Sequence, residues 1–215
     1  IGSSFENDYL ILNFNLYYML FENEIVKNGK VDRFGQPITG NVDETTHTGA
    51  EVSVVLKLFN GLEIFGNASY SKNKITSGVY FINDTETIDI SGNTISGFPS
   101  FLFNTGLQYQ IKNFFLKLNG KYVGQFYSDN FDKNISSYLI QFPGFLDYND
   151  NINDDYFVMD IYGSYDLRLF NGLTNSKIFI QVNNVFDNLY SAYAIGKEYF
   201  PAADRNFIAG LSIGL

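Results

Sequence analysis

The feature that most constrains this chain is an alternation of apolar and polar side chains that recurs in long segments from one end to the other. Between Tyr156 and Phe170, the residues Phe157, Met159, Ile161, Gly163, Tyr165, Leu167 and Leu169 fall on one parity, and Val158, Asp160, Tyr162, Ser164, Asp166 and Arg168 on the other. A strand points successive side chains to opposite faces, so this segment has one apolar face and one largely polar face. The same split recurs at 10–20, 101–111, 114–127 and 207–215, and in weaker form at 50–58, 62–70 and 177–185. The spacing predicts eight antiparallel strands, most of them at or above the roughly 9–11 residues that a tilted strand needs to cross a bilayer.

The connections alternate in length as regularly as the side chains alternate in polarity. Asn60-Gly61, Lys112-Asn113 and the run 171–175 are hairpin-length links built from residues that tolerate positive φ. The other connections, near 22–47, 71–98, 128–156 and 187–204, are each roughly 18–29 residues long, which is uncommon in compact soluble domains. Short turns at one end and long loops at the other is the arrangement of outer-membrane barrels, and the parity puts the C-terminus on the short-turn, periplasmic end. Pro37, Pro99, Pro143 and Pro201 all lie in or beside the long connections, where proline removes no ladder hydrogen bond.

Composition agrees. Aromatic residues are 18% of the 215, from 22 Phe and 16 Tyr, while charged residues are only 17%. A soluble protein must hide that many rings in a core; a lipid-facing wall displays them instead. The net charge of −9 argues against a nucleic-acid partner, and the absence of cysteine removes disulfides and thiolate metal sites. No apolar run is long enough for a transmembrane helix.

Three patterns invite a chemical reading. Gly210-Leu211-Ser212-Ile213-Gly214 matches G-x-S-x-G, but that nucleophile motif needs a strand, a sharp turn and then a helix, and a Gly/Ser polar face accounts for it. His47 is the sole histidine, so any His-dependent site must use it; flanked by Thr46 and Thr48, it reads as a polar residue at a loop edge. Asp147 to Asp155 begins like a calcium loop, yet Ile152 and Val158 stand where an EF-hand needs Gly and Glu, which leaves a solvated acidic loop with weak calcium binding as the alternative. No catalytic residue, metal ligand or cofactor is assigned. The rings in the long connections are the candidate ligand-binding residues: Tyr80, Phe81, Phe131, Tyr148, Tyr190 and Tyr193, which either touch a ligand or fold the loops onto one another.

Several segments resemble the barrels of TonB-dependent receptors. Phe98-Pro99-Ser100-Phe101 resembles the opening of a late strand in that family, and 122–130 (Tyr-Val-Gly-Gln-Phe-Tyr-Ser-Asp-Asn) is similar to its Y-x-G-x-x-Y-x-D-N strand end. Val182 to Tyr190 resembles its N-N-L-F-D-x-x-Y segment, and Pro201 to Phe207 its P-x-x-x-R-x-F approach to the last strand. Asn23-Glu24-Ile25-Val26 and Gly49-Ala50-Glu51-Val52 look like marks of two upstream strands.

The resemblance implies that residues 1–215 are the last eight strands of an antiparallel transmembrane barrel of about 22, with earlier strands and a plug upstream of Ile1. It implies an importer in the bacterial outer membrane for a scarce chelate, with a ferric siderophore in first place, and no enzyme. The implied partners are outer-membrane lipid, the TonB complex acting through the plug, the small-molecule ligand and the barrel-assembly machinery. That machinery would read Gly210, Ile213 and Leu215, although Leu215 stands where the family usually has an aromatic residue. The alternatives are a complete eight-stranded barrel with an adhesive or structural role, an outer-membrane enzyme, and a soluble lipocalin-like carrier.

Overall fold

A computed structural model of the chain describes residues 1–59, 61–167 and 176–213. In chain order the elements are β1 (Gly2–Glu6), β2 (Leu10–Val31), β3 (Pro37–Phe59), β4 (Leu62–Ser77), β5 (Val79–Phe81), β6 (Thr87–Asp89), β7 (Phe101–Ile111), β8 (Phe114–Val123) and β9 (Phe126–Tyr127). A 3-10 turn (Asp132–Asn134) leads into α1 (Ile135–Gln141), then β10 (Ile152–Asn153), β11 (Tyr156–Leu167), β12 (Ser176–Asn183), β13 (Ser191–Ile195), β14 (Glu198–Pro201) and β15 (Asn206–Ser212). Nine of the strands form one antiparallel sheet in the order β1-β2-β3-β4-β7-β8-β11-β12-β15; the other six pair off as two-stranded ribbons in the loops. Among the described residues no helix is long and apolar enough to cross a membrane, a finding that does not bear on spanning strands.

The wall has nine strands where the alternation predicted eight. The added one, β1, is Gly-Ser-Ser-Phe-Glu, too short and too polar to show a period, yet it pairs with β2 from Gly2↔Asn15 to Glu6↔Ile11. A short turn joins the two, with the Asn7 Oδ1 accepting from the amides of Tyr9 (2.9 Å) and Leu10 (2.8 Å). The expected loop over 22–47 is also corrected: β2 and β3 stay paired up to Val31↔Pro37, and the turn is confined to 32–36. Polarity stops alternating there because that part of the hairpin has water on its exposed side, so the ladder continues after its hydrophobic signature has ended. The expected turn at 171–175 lies outside the described residues, as do Asn60, 168–170, Gly214 and Leu215.

Register shows how the sequence sorts its two faces. Directly opposed residues share a face, and one row crosses eight strands as Leu10, Leu56, Ile64, Leu107, Leu118, Ile161, Val182 and Phe207. Every member is apolar. One residue away, the opposite face reads Lys57, Glu63, Gln108, Lys117, Tyr162, Gln181 and Ile208. A second polar row runs Asn13, Ser53, Asn67, Asn104 and Lys121, with Asn104 Nδ2 donating to Asn67 Oδ1 at 2.9 Å.

The polar face of β4 continues upward through Ser71 and Asn73 to Ile75, which is buried under the loops, so the loops fold over the polar side. The apolar side is left bare, with Phe14, Phe103, Phe114, Tyr165, Ile178 and Leu211 all exposed. Rings edge it at both ends: Phe101, Phe103 and Phe157 towards the loops, Phe114 and Tyr165 towards the short turns. From Phe101 to Ile111, about 33 Å of strand tilted by about 40° covers roughly 25 Å of height, the thickness of an outer-membrane apolar band.

Two kinds of glycine shape this wall. Gly61 turns β3 into β4 at φ +82°, and a Cβ there would lie 1.9 Å from the Gln110 carbonyl oxygen. On the polar face, the side chains of Tyr17, Phe65 and Phe179 reach over the glycines of the adjoining strands, Gly49, Gly106 and Gly210, where an added Cβ would come within 2.5 Å of the Tyr17 hydroxyl, 2.3 Å of the Phe65 ring and 2.7 Å of the Phe179 ring. Each ring covers backbone that glycine leaves bare and locks its strand pair in register.

The facing assignment makes a quantitative prediction. Ile161→Arg, in the middle of the apolar row, is expected to destabilise the membrane-inserted protein by about 2–4 kcal/mol. Asp160→Asn, on the opposite face and still able to accept from the Asn184 amide, is expected to cost little. Denaturant titration in lipid vesicles measures both; equal costs would reverse the assignment.

Candidate functional site

The candidate site is the cap that the four long connections build over the polar side of the wall. It begins at Asn23, whose φ of 58° lies in the left-handed region that asparagine tolerates. This residue inverts the facing of β2: Ile25 becomes exposed and Val26 buried. The inversion also turns Glu24 inward, where its Oε2 meets His47 Nε2 at 3.0 Å and accepts a hydrogen bond from Thr45. His47 Nδ1 lies 2.8 Å from Asn73 Oδ1, and the rings of Phe21 and Phe98 stand edge-on to the imidazole.

Above this layer the loops share an apolar core. Val26 and Val42 from the first, Ile75, Tyr80, Ile88, Ile90 and Ile95 from the second, and Phe131 and Ile135 from the third are buried together. The rings of Tyr80, Tyr138 and Phe145 pack edge-on around Phe131, with centroids 4.9, 5.7 and 5.2 Å away.

A polar knot at 128–130 joins all four connections. Ser128 donates to the Gly196 carbonyl at 2.6 Å, and the Gly196 amide returns a bond to the Ser128 carbonyl at 3.0 Å, tying in the fourth loop. Asn130 Nδ2 donates to the Lys27 carbonyl of the first hairpin at 2.6 Å, while its Oδ1 accepts from the Ser96 amide of the second loop at 2.9 Å. Asp129, 0% exposed, holds the third loop together by accepting from the Phe131 amide (2.8 Å), the Tyr148 hydroxyl (2.9 Å) and Asn151 Nδ2 (2.7 Å). Burial pushes its carboxyl above the ordinary value against the pull of those three donors.

A second polar cluster closes the top of β11, β12 and β15. Asn184 and Asp187 both take positive φ, at 51° and 57°. The Asn184 amide donates to Asp160 Oδ1 (2.9 Å), and its side chain bridges to Asn188; Asp187 accepts from the Arg205 amide (2.9 Å) and faces the Arg205 guanidinium at 3.4 Å. The asparagine-rich run around 183–188 and Arg205 thus serve one fold-closing device, on opposite sides of the fourth loop.

The six ring residues proposed as ligand contacts do not converge on one surface. Phe131 (1% exposed) and Tyr80 belong to the loop core, and Tyr148 is tied to Asp129. Tyr190 stacks on Tyr156 at 4.3 Å, and the Lys27 ammonium sits 4.0 Å from the Tyr193 ring centroid. Phe81, 67% exposed, is the free one. His47 corrects a sequence expectation: at 5% exposure it is a buried hydrogen-bonding residue and not a loop-edge one, because the inverted Glu24 and the two phenylalanines enclose it.

The acidic stretch 147–155 disperses its groups. Asp147 pairs with Lys197, Asp150 caps the Ile152 amide and Asp155 accepts from Tyr122. No group of three potential metal ligands occurs among the described residues. Gly210 to Ser212 are the last three residues of β15, so Ser212 sits within a strand; Gly210 lies under Phe179 and Ile213 is exposed, while Gly214 lies outside the described residues. The residues missed by sequence reasoning are the asparagines Asn73, Asn93, Asn130 and Asn151, all nearly fully buried. The 128–130 run was visible as a motif, but nothing in it announced a four-loop junction.

A wall with one bare apolar face, rings at both rims and a loop cap over its polar side defines an outer-membrane β-barrel protein. The family model described as "TonB dependent receptor-like, beta-barrel" matches residues 1–185, and the chain belongs to that family, whose members reside in the bacterial outer membrane. Among solved structures it is similar to the siderophore receptor PiuA from Acinetobacter baumannii, at 17% identity and a TM-score of 0.69, over 98% of this chain and 27% of that one. It is similar also to the ferric-catecholate import receptor Fiu from K12 E. coli (19%, TM-score 0.66, 97% and 26%) and to the ferric citrate transporter FecA (16%, 0.68, 97% and 29%). The chain therefore spans little more than a quarter of the length of these receptors, and at such identities the likeness is one of fold. No curated protein matches the sequence.

Two measurements test the cap. Asn130→Ala strands the Lys27 carbonyl and the Ser96 amide, at about 1–3 kcal/mol each, so amide exchange should quicken in the first three loops while the wall stays protected; unchanged exchange would remove the knot from the account. The second is alkaline titration. Burial raises the phenols of Tyr138 and Tyr148 above the ordinary 10.0, for Tyr148 with the Asp129 carboxylate adding to the effect. The folded cap then holds protons that an opened cap releases, so the stability linked to these phenols is intact below pH 10 and is lost as the pH rises beyond it. Loop exchange measured across that range should accelerate on the alkaline side.

Proposed function

We propose that the protein is an outer-membrane receptor that imports a scarce chelate, with a ferric siderophore as the first candidate, and that energy reaches it from the TonB complex through an N-terminal plug. Family membership across 1–185 is the observation that carries this reading. The similar folds include a siderophore receptor, a ferric-catecholate import receptor and a ferric citrate transporter.

The physics of the wall supports a larger barrel around this chain. β1 and β15 are the two edges of the sheet. In hydrocarbon each unpaired N–H or C=O costs several kcal/mol, so both edges would pair with further strands of the same barrel. Gly210, Ile213 and Leu215 remain the proposed signal to the assembly machinery.

Ligand contact is proposed for rings that the loop core leaves reachable. Phe81 comes first, then Tyr193 and Tyr190 on the fourth loop and Tyr148 at the seam with it. Tyr80 and Phe131 would act through Phe81 and Tyr148, by setting where those rings stand.

Growth of an iron-starved strain lacking its own receptors tests the proposal. Cells expressing the full-length gene are expected to grow on at least one ferric siderophore, only with an intact TonB system, and Phe81→Ala should weaken uptake without lowering the amount of receptor. Failure on every ferric chelate would remove the iron assignment, while growth independent of TonB would remove the coupling.

A further inference from the structure

His47 is buried in a polar cluster that the import reading does not use. Both of its ring nitrogens face an acceptor. Nε2 lies 3.0 Å from Glu24 Oε2, and Nδ1 lies 2.8 Å from Asn73 Oδ1, whose own amide nitrogen donates to Ser71 Oγ at 3.0 Å. A neutral imidazole carries one N–H, and an ionised carboxylate can only accept. With the Nδ1 proton committed to Asn73, the contact with Glu24 requires a second proton between Nε2 and Oε2, whichever of the two atoms carries it. Without that proton a nitrogen lone pair and a carboxylate would confront each other at 3.0 Å, in a place largely closed to water. Thr45 also donates to this carboxylate oxygen, but it does nothing for the Nε2 lone pair.

The other charged groups on the packed elements do not take the place of this proton. Lys72 and Lys74 flank Asn73 in β4 and so point to the opposite face. Glu22 and Glu44 oppose each other across the ladder; next in sequence to Phe21 and Thr45, which turn towards His47, they point away from it. Asp43 is exposed and accepts from Ser77 (3.4 Å), and Glu51, four residues below His47, accepts from Asn15 (3.2 Å). The Lys27 ammonium sits over the Tyr193 ring. The second loop brings Phe98, an uncharged ring, to the imidazole.

What the shared proton holds is the first hairpin. Glu24 directly follows the inversion at Asn23; beyond it Val26 and Val42 enter the loop core, and the Lys27 carbonyl accepts from Asn130. Glu24 ties this inverted segment to His47 in β3, and His47 ties it on to Asn73 in β4. We propose that Glu24 and His47 form a proton-operated latch, which keeps the first hairpin closed into the cap at mildly acidic pH and frees it as the pH rises. The sign follows from counting protons. In an opened hairpin above neutrality a solvated glutamate is ionised and a solvated histidine is neutral, so opening releases the proton and closure is favoured by falling pH. Release of the hairpin uncovers the polar side of the wall beneath it, which makes access from outside dependent on pH. The latch concerns closure of the cap and is independent of what the receptor imports.

Amide exchange on the full-length receptor in lipid vesicles tests it, from about pH 5.5 to about pH 8.5, the range in which histidines ordinarily change charge. Rates are corrected for the intrinsic effect of pH on exchange. In the wild type, protection over 24–27 and 39–44 should fall roughly tenfold to hundredfold relative to β7 and β8 across that range, the factor carried by one hydrogen bond to a charged group. Glu24→Gln gives Nε2 a permanent donor, so its hairpin should stay protected at both ends of the range. His47→Gln has no imidazole to titrate and should also lose the pH response. Retained protection of β7 and β8 shows in each case that the wall has folded. A wild-type hairpin with flat exchange overturns the proposal. So does a pH response that survives Glu24→Gln, which would assign it to another group. Growth on ferric siderophores reports on cargo alone, so failure there leaves this result standing.

Discussion

Everything in this structure depends on the requirement that backbone polar groups in hydrocarbon find partners within the protein. A chain that crosses in strands satisfies it only by lateral pairing, so the ladder from β1 to β15 comes first and side-chain chemistry is fitted to it. Once the ladder exists, the two-residue period divides the side chains between a lipid side and a polar side. The eight-residue apolar row from Leu10 to Phe207 is that division made visible. Glycines under Tyr17, Phe65 and Phe179 then hold the register on which the division depends, since a slip of one residue would exchange the faces.

Above the bilayer the requirement relaxes and the construction changes. Asn23 reverses the facing of β2, and from that point apolar residues turn inward to the cap instead of outward to lipid. The loops then behave as a small soluble protein would, with an isoleucine-rich core, rings packed edge to face and buried asparagines joining segments distant in sequence. Two solvents act on one chain, and the change of rule occurs within a few residues of the Glu24–His47 pair.

The wall was legible in the sequence because its signal is local: Phe157 to Leu167 states its facing without reference to any other strand. The first hairpin beyond Phe21 was not, because above the membrane the ladder no longer imposes alternation. β1 escaped for lack of length. The cap was legible only as a collection of rings. Tyr80 and Phe81 are adjacent and chemically alike, yet one is buried and the other exposed, a distinction set by Phe131 and Phe145 from another loop. Asn130 joins groups 103 and 34 positions away in the chain, and no spacing rule carries that.

The junction at 128–130 has a consequence for how such a cap could diversify. Because Ser128 and Asn130 answer to three other connections at once, a replacement there would need compensation in several places together. The tips have no such obligation: the turn at 32–36, the ribbon of β5 and β6 and the outer side of α1 can drift one residue at a time. Change in the cap would therefore fall at the periphery while the root stays fixed, much as antibody loops vary on a constant frame.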